Sequence, residues 1–337
     1  MCRWFAYIGE EPTLLEDIIF KPKHSIIKQI DKHFLPNLHI TYDPRLYGKE
    51  ISSDTASDEP NIDYLTSIDG FGVGYYTGVS ADFNSDNVSR PCVYKSIRPP
   101  LNDRNLISLC ANTSSKCIFA HIRAGTGRTP TVETNNHPFI FGRYLFMHNG
   151  DVGNFRKIKL ALLNKLSVKA YENVFGTTDT EHVAALFFTH LGNDWDTELP
   201  MENWKQAMMK TFQDILSLVE ESAKDTNEAV PCSFLNFAVT DSCRLLATRF
   251  SSVEDVAPPS LYYSTTAGPT LNRKFPDDPD GKAIHKMIVR FVHLHGRHAI
   301  VASEPNTYKE EEWHLIPANS LVLVDKDFYV TIEKINP

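Results

Sequence analysis

The second residue of the chain is a cysteine, opening the stretch Cys2-Arg3-Trp4-Phe5-Ala6-Tyr7-Ile8-Gly9. A cysteine is small enough for the initiator methionine in front of it to be trimmed. The trimmed chain would carry a thiol and a free α-amino group on one residue. A thiol titrates near ~8.5 and an α-amino group near ~7.7–8.0, so around neutral pH part of the amine is an unprotonated base beside its own nucleophile. A lysine amine, near ~10.4, does not reach that state without deep burial. Taken alone, Cys2 reads more simply as a small buried residue of a first strand. Three polar clusters downstream change that balance.

The first cluster is His121-Ile122-Arg123-Ala124-Gly125-Thr126. Arg123 follows the apolar run Cys117-Ile118-Phe119-Ala120, an odd place for an obligate cation without an anionic partner. Its guanidinium fork fits a substrate carboxylate bound through two hydrogen bonds, or a structural ion pair; the residues alone leave both open. The second cluster is Met147-His148-Asn149-Gly150-Asp151. Asn-Gly is a common hairpin turn. The same pair can offer a side-chain amide and a backbone N–H as an oxyanion hole, where one donor is worth ~10²–10³ in rate. The third is Gly176-Thr177-Thr178-Asp179-Thr180-Glu181, where Asp179 reads as a helix cap or as the partner of a substrate's α-ammonium group.

The elements that must hold these groups follow from the apolar patterning. Residues 2–8 read as a strand buried on both faces. Thr13 and Glu16 form a capping-box pattern that predicts a short helix opening at Pro12-Thr13. Asp69-Gly70-Phe71-Gly72-Val73-Gly74-Tyr75-Tyr76 reads as a turn entering a strand. It is no dinucleotide fingerprint, because the third glycine follows the second too closely and a strand follows where a helix is required. Glycine at every second position leaves one strand face bare for a backbone or a ligand. Strands are expected at 92–96, 117–124, 144–150, 233–240, 244–250, 261–265, 284–293, 299–303, 321–325 and 328–333. Helices are expected at 102–111, 154–165, 179–190 and 202–222. Strands, then helices, then strands, without βαβ alternation, imply an α+β fold of antiparallel sheets with segregated helices. Neither an internal repeat nor a linker marks a boundary, so a single domain over 2–337 is expected. The polar stretches 42–62 and 80–90 read as loop insertions.

In order and spacing, these residues resemble the class II glutamine amidotransferases, a family of N-terminal nucleophile hydrolases. The motifs that carry the resemblance are Cys2, Asp69-Gly70-Phe71-Gly72, His121-Ile122-Arg123-Ala124, Asn135-Asn136-His137-Pro138-Phe139, His148-Asn149-Gly150 and Thr178-Asp179-Thr180-Glu181. Ala302-Ser303-Glu304-Pro305, Trp313 and Pro317-Ala318-Asn319-Ser320-Leu321 extend it over nearly the whole chain. The resemblance implies a four-layer αββα sandwich. It implies Cys2 as nucleophile with its α-amine as general base, and Asn149 with the Gly150 N–H as oxyanion hole. Arg123 would bind the substrate α-carboxylate and Asp179 the α-ammonium, with His121 and Thr178 beside them in the substrate-binding set. The reaction would pass from a γ-glutamyl amide through a γ-glutamyl-thioester to hydrolysis or transfer, without metal or cofactor. The Cys-Arg start, the Asp-Gly-Phe-Gly turn, Leu235-Asn236-Phe237-Ala238-Val239-Thr240-Asp241 and the Ser-Glu-Pro segment look most like the fungal amidotransferase subunit of a cytosolic glutathione-degrading complex. That likeness implies glutathione or glutamine as substrate, a peptidase-like partner subunit, and a cytoplasmic location. No synthase or phosphoribosyl-transfer domain is expected after the sandwich. Thr178 departs from the serine of many relatives but keeps a hydroxyl. The two insertions are expected near the pocket mouth.

Composition agrees with this class. The chain has 337 residues, 42% hydrophobic and 23% charged, with a net charge of −8 and no basic stripe, which argues against a general nucleic-acid binder. No apolar run reaches the ~18–20 residues of a membrane span, and the N-terminus lacks the pattern of a signal peptide. Six cysteines without a C-x-x-C pair point to free thiols in a reducing compartment. Three other readings compete. One is a related amidase that acts on a γ-glutamyl-cysteinyl intermediate in thiohistidine (ergothioneine-type) biosynthesis. Another is an inactive scaffold subunit. The last is a metal protein built on His285, His293, His295 and His298.

Overall fold

The structure, a computed structural model, describes residues 2–30, 68–124, 129–224, 229–275, 279 and 295–336. The expected strand at 284–293, the loop at 42–62, His285 and His293 lie outside the described residues.

Thirteen strands among the described residues form two antiparallel sheets. The first contains β1 (Arg3–Leu14), β2 (Gly70–Tyr76), β3 (Pro91–Ser96), β4 (Ser114–Arg123), β9 (Tyr262–Ser264), β10 (His298–Ala302) and β11 (His314–Leu315), in the order β11-β9-β10-β1-β4-β2-β3. The second contains β5 (Phe139–Phe141), β6 (Tyr144–Asp151), β7 (Phe234–Thr240), β8 (Leu245–Arg249), β12 (Ser320–Val324) and β13 (Val330–Lys334), in the order β13-β12-β8-β7-β6-β5. The helices are α1 (Leu15–Ile19), α2 (Val79–Phe83), α3 (Arg104–Asn112), α4 (Phe155–Leu163), α5 (Val168–Glu172), α6 (Asp179–Leu191) and α7 (Met201–Lys224).

The side-chain alternation of a strand explains the layers. On β1, Trp4, Ala6 and Ile8 point into a core shared with Leu145 and Met147 of β6, Ala238 of β7 and Ala247 of β8, which glues sheet to sheet. Phe5 and Tyr7, on the other face, pack with Leu15, Ile18 and Leu106 of α1 and α3. The far face of the second sheet, including Phe146, Phe237 and Val239, is covered by α4, α6 and α7. On α7, Trp204, Met208, Phe212, Ile215 and Val219 recur at helical spacing and are buried. The result is the αββα sandwich, with the central strands of both sheets buried on both faces and the edge strands partly exposed.

Two local expectations are corrected. Thr13 does not cap a helix. β1 runs on to Leu14, and α1 begins after Leu14 without a side-chain cap. The strand tolerates Pro12 because its pairing with β4 is interrupted between Ile8 and Thr13, so the missing N–H costs no ladder bond. The insertion at 80–90 is also not beside the candidate site. It joins the Tyr76 end of β2 to Pro91, whereas Gly70, at the other end of β2 roughly 20 Å away, pairs with Arg123. There it contains α2, and Arg90 bridges Asp86 and Asp196.

Among the described residues, no helix is long and apolar enough to cross a membrane.

Candidate active site

Cys2 lies immediately before β1, where antiparallel pairing sets Arg3 opposite Ile122 and Trp4 opposite His121. This register brings the thiol to the end of β4. Cys2 Sγ lies 3.6 Å from the Ala124 carbonyl, to which it donates, and 3.4 Å from the Ala124 N–H, from which it accepts. The Arg3 guanidinium donates to the Cys2 carbonyl at 3.1 Å and lies 3.9 Å from the Glu304 carboxylate. Burial pushes the thiol pKa up; the positive amino terminus, the Ala124 N–H and Arg123 draw it back, and Asp179 adds to the rise.

Arg123 ends β4 with its side chain on the inter-sheet face, 4% exposed. Nη2 donates to Thr129 Oγ1. Nη1 is buried and has no hydrogen-bond partner among the described residues. Opposite it, the bare glycine face of β2 receives a backbone: a Cβ on Gly72 would lie 1.9 Å from the His137 carbonyl oxygen. The segment thereby admitted continues the site wall. Asn135 Nδ2 donates to the Pro130 carbonyl at 2.9 Å, and Asn135 Oδ1 accepts the Thr177 N–H at 2.8 Å. Arg123's partner Thr129 is thus tied to the loop that leads into Asp179.

His148-Asn149-Gly150 is not a hairpin turn. It lies within β6, with Asn149 paired to Asn236 and Gly150 to Leu235 on β7. Asn149 is 1% exposed and faces the first sheet. Its Nδ2 lies 3.5 Å from Ser303 Oγ, and its Oδ1 is buried without a partner among the described residues. Gly150 has φ +146°, and a Cβ there would sit 2.0 Å from the Phe234 carbonyl oxygen, so only glycine fits.

At the start of α6 the cap is Thr178, whose hydroxyl accepts the Glu181 N–H at 3.3 Å. That frees Asp179 to turn toward β6. Oδ2 accepts the Val152 N–H at 3.0 Å and Oδ1 accepts the Thr180 N–H at 2.7 Å. Oδ1 also lies 3.4 Å from the Thr180 hydroxyl, and Oδ2 retains a further lone pair. The sequence offered no signal for the role of Glu181, which accepts the N–H groups of Phe175 at 3.0 Å and Gly176 at 2.6 Å and so fixes the loop before the helix.

Beneath these groups lie three buried histidines. His148 Nε2 faces the Phe234 carbonyl at 2.8 Å, so it carries the hydrogen, and Nδ1 accepts from Thr180 Oγ1 at 3.0 Å. His137 Nδ1 accepts the His148 N–H at 3.4 Å. His121 Nε2 donates to the His148 carbonyl at 3.0 Å, and its ring centre lies 3.9 Å from that of His137. Burial lowers all three pKa values, that of His121 to about 3, and the three rings are neutral. His121 therefore spends its Nε2 on the protein, and Thr178 its hydroxyl on the helix cap.

The structure brings Cys2, Arg123, Asn149, Gly150 and Asp179 to one end of the sandwich, although they come from four separate chain segments. His295 and His298 lie elsewhere, where β10 begins opposite Gly9. His298 accepts the Gly268 N–H at 2.8 Å on Nε2, and both rings bond the Gly296 carbonyl. They hold a turn, and the described residues contain no cluster of His, Cys, Asp and Glu suited to a metal ion.

Comparisons with known proteins converge. The family described as class-II glutamine amidotransferases matches residues 64–334. A curated protein of Saccharomyces cerevisiae, probable glutamine amidotransferase DUG3, is 31% identical over 334 residues, covering 97% of this chain and 82% of its own. The solved structure of a glutamine aminotransferase class-II domain protein from Silicibacter pomeroyi shares the fold, with a TM-score of 0.55 and 20% identity over 100% of both chains.

Proposed function

The chain belongs to the class II glutamine amidotransferases, and from that premise we propose that it cleaves γ-glutamyl amides with Cys2 as nucleophile, acting on glutathione in the cytoplasm with a peptidase-like partner subunit. The observation that carries the reading is the pairing of unsatisfied buried groups with the thiol. Arg123 Nη1 and Asn149 Oδ1 are buried without a hydrogen-bond partner among the described residues, Arg123 directly precedes the Ala124 backbone that bonds the thiol, and Asp179 Oδ2 keeps an open lone pair. Arg123 and Asp179 supply opposite charges for the α-carboxylate and α-ammonium of a free γ-glutamyl group.

Removal of Met1 frees the α-amine of Cys2. The amine takes the thiol proton as sulfur attacks the γ-carbonyl carbon. Asn149 and the Gly150 N–H stabilise the oxyanion. The C–N bond breaks, the departing amine takes the proton, and a γ-glutamyl-thioester remains on Cys2. Water, deprotonated by the same amine, then releases glutamate and restores the thiol. The raised pKa of the thiol supports the need for this base.

The test is glutamate release from glutathione, with glutamine as rival and Cys2→Ala as control. Cys2-dependent release that favours glutathione is the expected result. Release that favours glutamine removes glutathione as the preferred substrate, and release that survives Cys2→Ala removes the nucleophile.

A further inference from the structure

Ser303 lies just beyond β10 and is fully buried between the nucleophile strand and Asn149. It is locked to β1 at two points. Its N–H donates to the Trp4 carbonyl at 2.9 Å, and its Oγ accepts the Trp4 N–H at 3.0 Å. Trp4 is two residues from Cys2, on the same strand face. The opposite side of Ser303 Oγ meets the Asn149 amide at 3.5 Å.

The two ends of an asparagine amide are distinguished by their partners. With Nδ2 toward Ser303, two groups go unsatisfied. Asn149 Oδ1 is buried without a partner among the described residues, and Ser303 Oγ, already an acceptor for Trp4, finds no acceptor there for its own hydrogen. A half turn of the amide pairs these two with each other: Ser303 O–H donates to Oδ1, and Nδ2 is left with its two hydrogens in the position that has no partner among the described residues. Buried polar groups left unpaired are costly, and in the turned arrangement the group left open is a donor, which an oxyanion satisfies; in the other it is an acceptor, which an oxyanion cannot satisfy.

We infer that Ser303 is a positioning residue, whose hydroxyl fixes the Asn149 amide so that its N–H groups, and not its oxygen, face the oxyanion. Neither the Cys2 chemistry nor the Asn-Gly pairing contains this assignment; it rests on the γ-glutamyl hydrolase reading above. In this arrangement Ser303 ties the nucleophile strand and the oxyanion donor to one atom.

The experiment measures glutamate release from glutathione by wild type, Ser303→Ala, Ser303→Thr, Asn149→Ala and the double variant Ser303→Ala/Asn149→Ala, alongside Cys2→Ala. Thermal midpoints and the rate of Cys2 alkylation by iodoacetamide are recorded for each. Ser303→Ala is expected to lower kcat about 10- to 100-fold, less than the ~10²–10³ of a deleted donor, with KM within about twofold and alkylation unchanged. Ser303→Thr restores much of the rate, and the double variant is no slower than Asn149→Ala, because both changes act through one amide. An unchanged kcat in Ser303→Ala overturns the inference. So does a parallel fall in kcat and alkylation, which would make Ser303 a support for β1 alone, and so does full additivity in the double variant. Should Ser303→Thr fail to fold, the double-variant comparison still decides. Turnover that is independent of Cys2, or absent from the wild type, brings down the underlying reading and this inference with it.

Discussion

Arg123 and Arg244 are both buried arginines at strand ends, 4% and 6% exposed, yet they are partnered in opposite ways. Arg244 donates through Nε and Nη2 to Asp241 Oδ2 at 3.2 and 2.6 Å, and through Nη1 to the Leu199 carbonyl at 2.7 Å. Its guanidinium lies 4.8 Å from the Trp204 ring centre, and Asp241 also accepts two backbone N–H groups. Arg123 has Thr129 as its hydrogen-bond partner and keeps Nη1 free among the described residues. Structural charges are saturated because an unpaired buried charge costs several kcal/mol. A binding site must leave some of that capacity for its ligand. The difference is the one expected of a binding arginine at Arg123 and a scaffold arginine at Arg244.

Four substitutions can break this comparison. Cys2→Ala should have the largest effect, a loss of glutamate release of at least ~10³-fold with an unchanged thermal midpoint. Turnover within tenfold of wild type would place the chemistry elsewhere. Arg244→Ala should destabilise by about 3–5 kcal/mol, because Asp241, fully buried, loses its counter-charge; the folded fraction should keep its KM. Gly72→Ala should cost about 3 kcal/mol by forcing apart β2 and the His137 backbone, as measured by denaturant unfolding. Arg123→Lys should do the reverse of Arg244→Ala. We expect KM to rise about 10- to 100-fold, since an ammonium cannot form the bidentate contact, and stability to change by less than about 1 kcal/mol. If Arg123→Lys destabilises as strongly as Arg244→Ala and leaves KM alone, the comparison fails.

A smaller effect is expected from pH. His121, His137 and His148 have folded pKa values below the usual 6.5, because burial disfavours the cation. The unfolded chain therefore binds more protons than the folded one below that value. Stability should be complete above about pH 6.5 and should fall as pH drops, by up to about 1.4 kcal/mol per pH unit for each histidine. Unfolding free energies that stay flat from pH 7 to pH 5 would contradict the neutral cluster.

Sequence patterning made the long elements legible. Runs such as Trp4-Phe5-Ala6-Tyr7-Ile8 and the helical spacing along α7 carry strong apolar signals, and Asp179 was placed at its helix start. The three-residue β5 and two-residue β11 were invisible, since their pairing is fixed by neighbours and not by propensity. The Thr13 capping box failed because tertiary pairing extends β1 through that position. Among candidate site residues, those with distinctive chemistry stand out in the sequence: a cysteine at position 2, an arginine after an apolar strand, an aspartate at a helix start. Ser303 lies 299 positions from Trp4 in sequence and Thr129 six from Arg123. Neither has a local pattern that announces its contact: Ser303 meets Trp4 through the pairing of distant segments, and nothing in the sequence singles out Thr129 from the nearby Thr126 and Thr131.

The most direct test of the central claim is an intact mass spectrum of the active protein, taken before and after a brief incubation with glutathione and an acid quench. The account predicts a chain that lacks Met1 and a transient γ-glutamyl adduct on Cys2 that is absent from Cys2→Ala. An active protein that retains Met1, or an adduct that persists in Cys2→Ala, would contradict it.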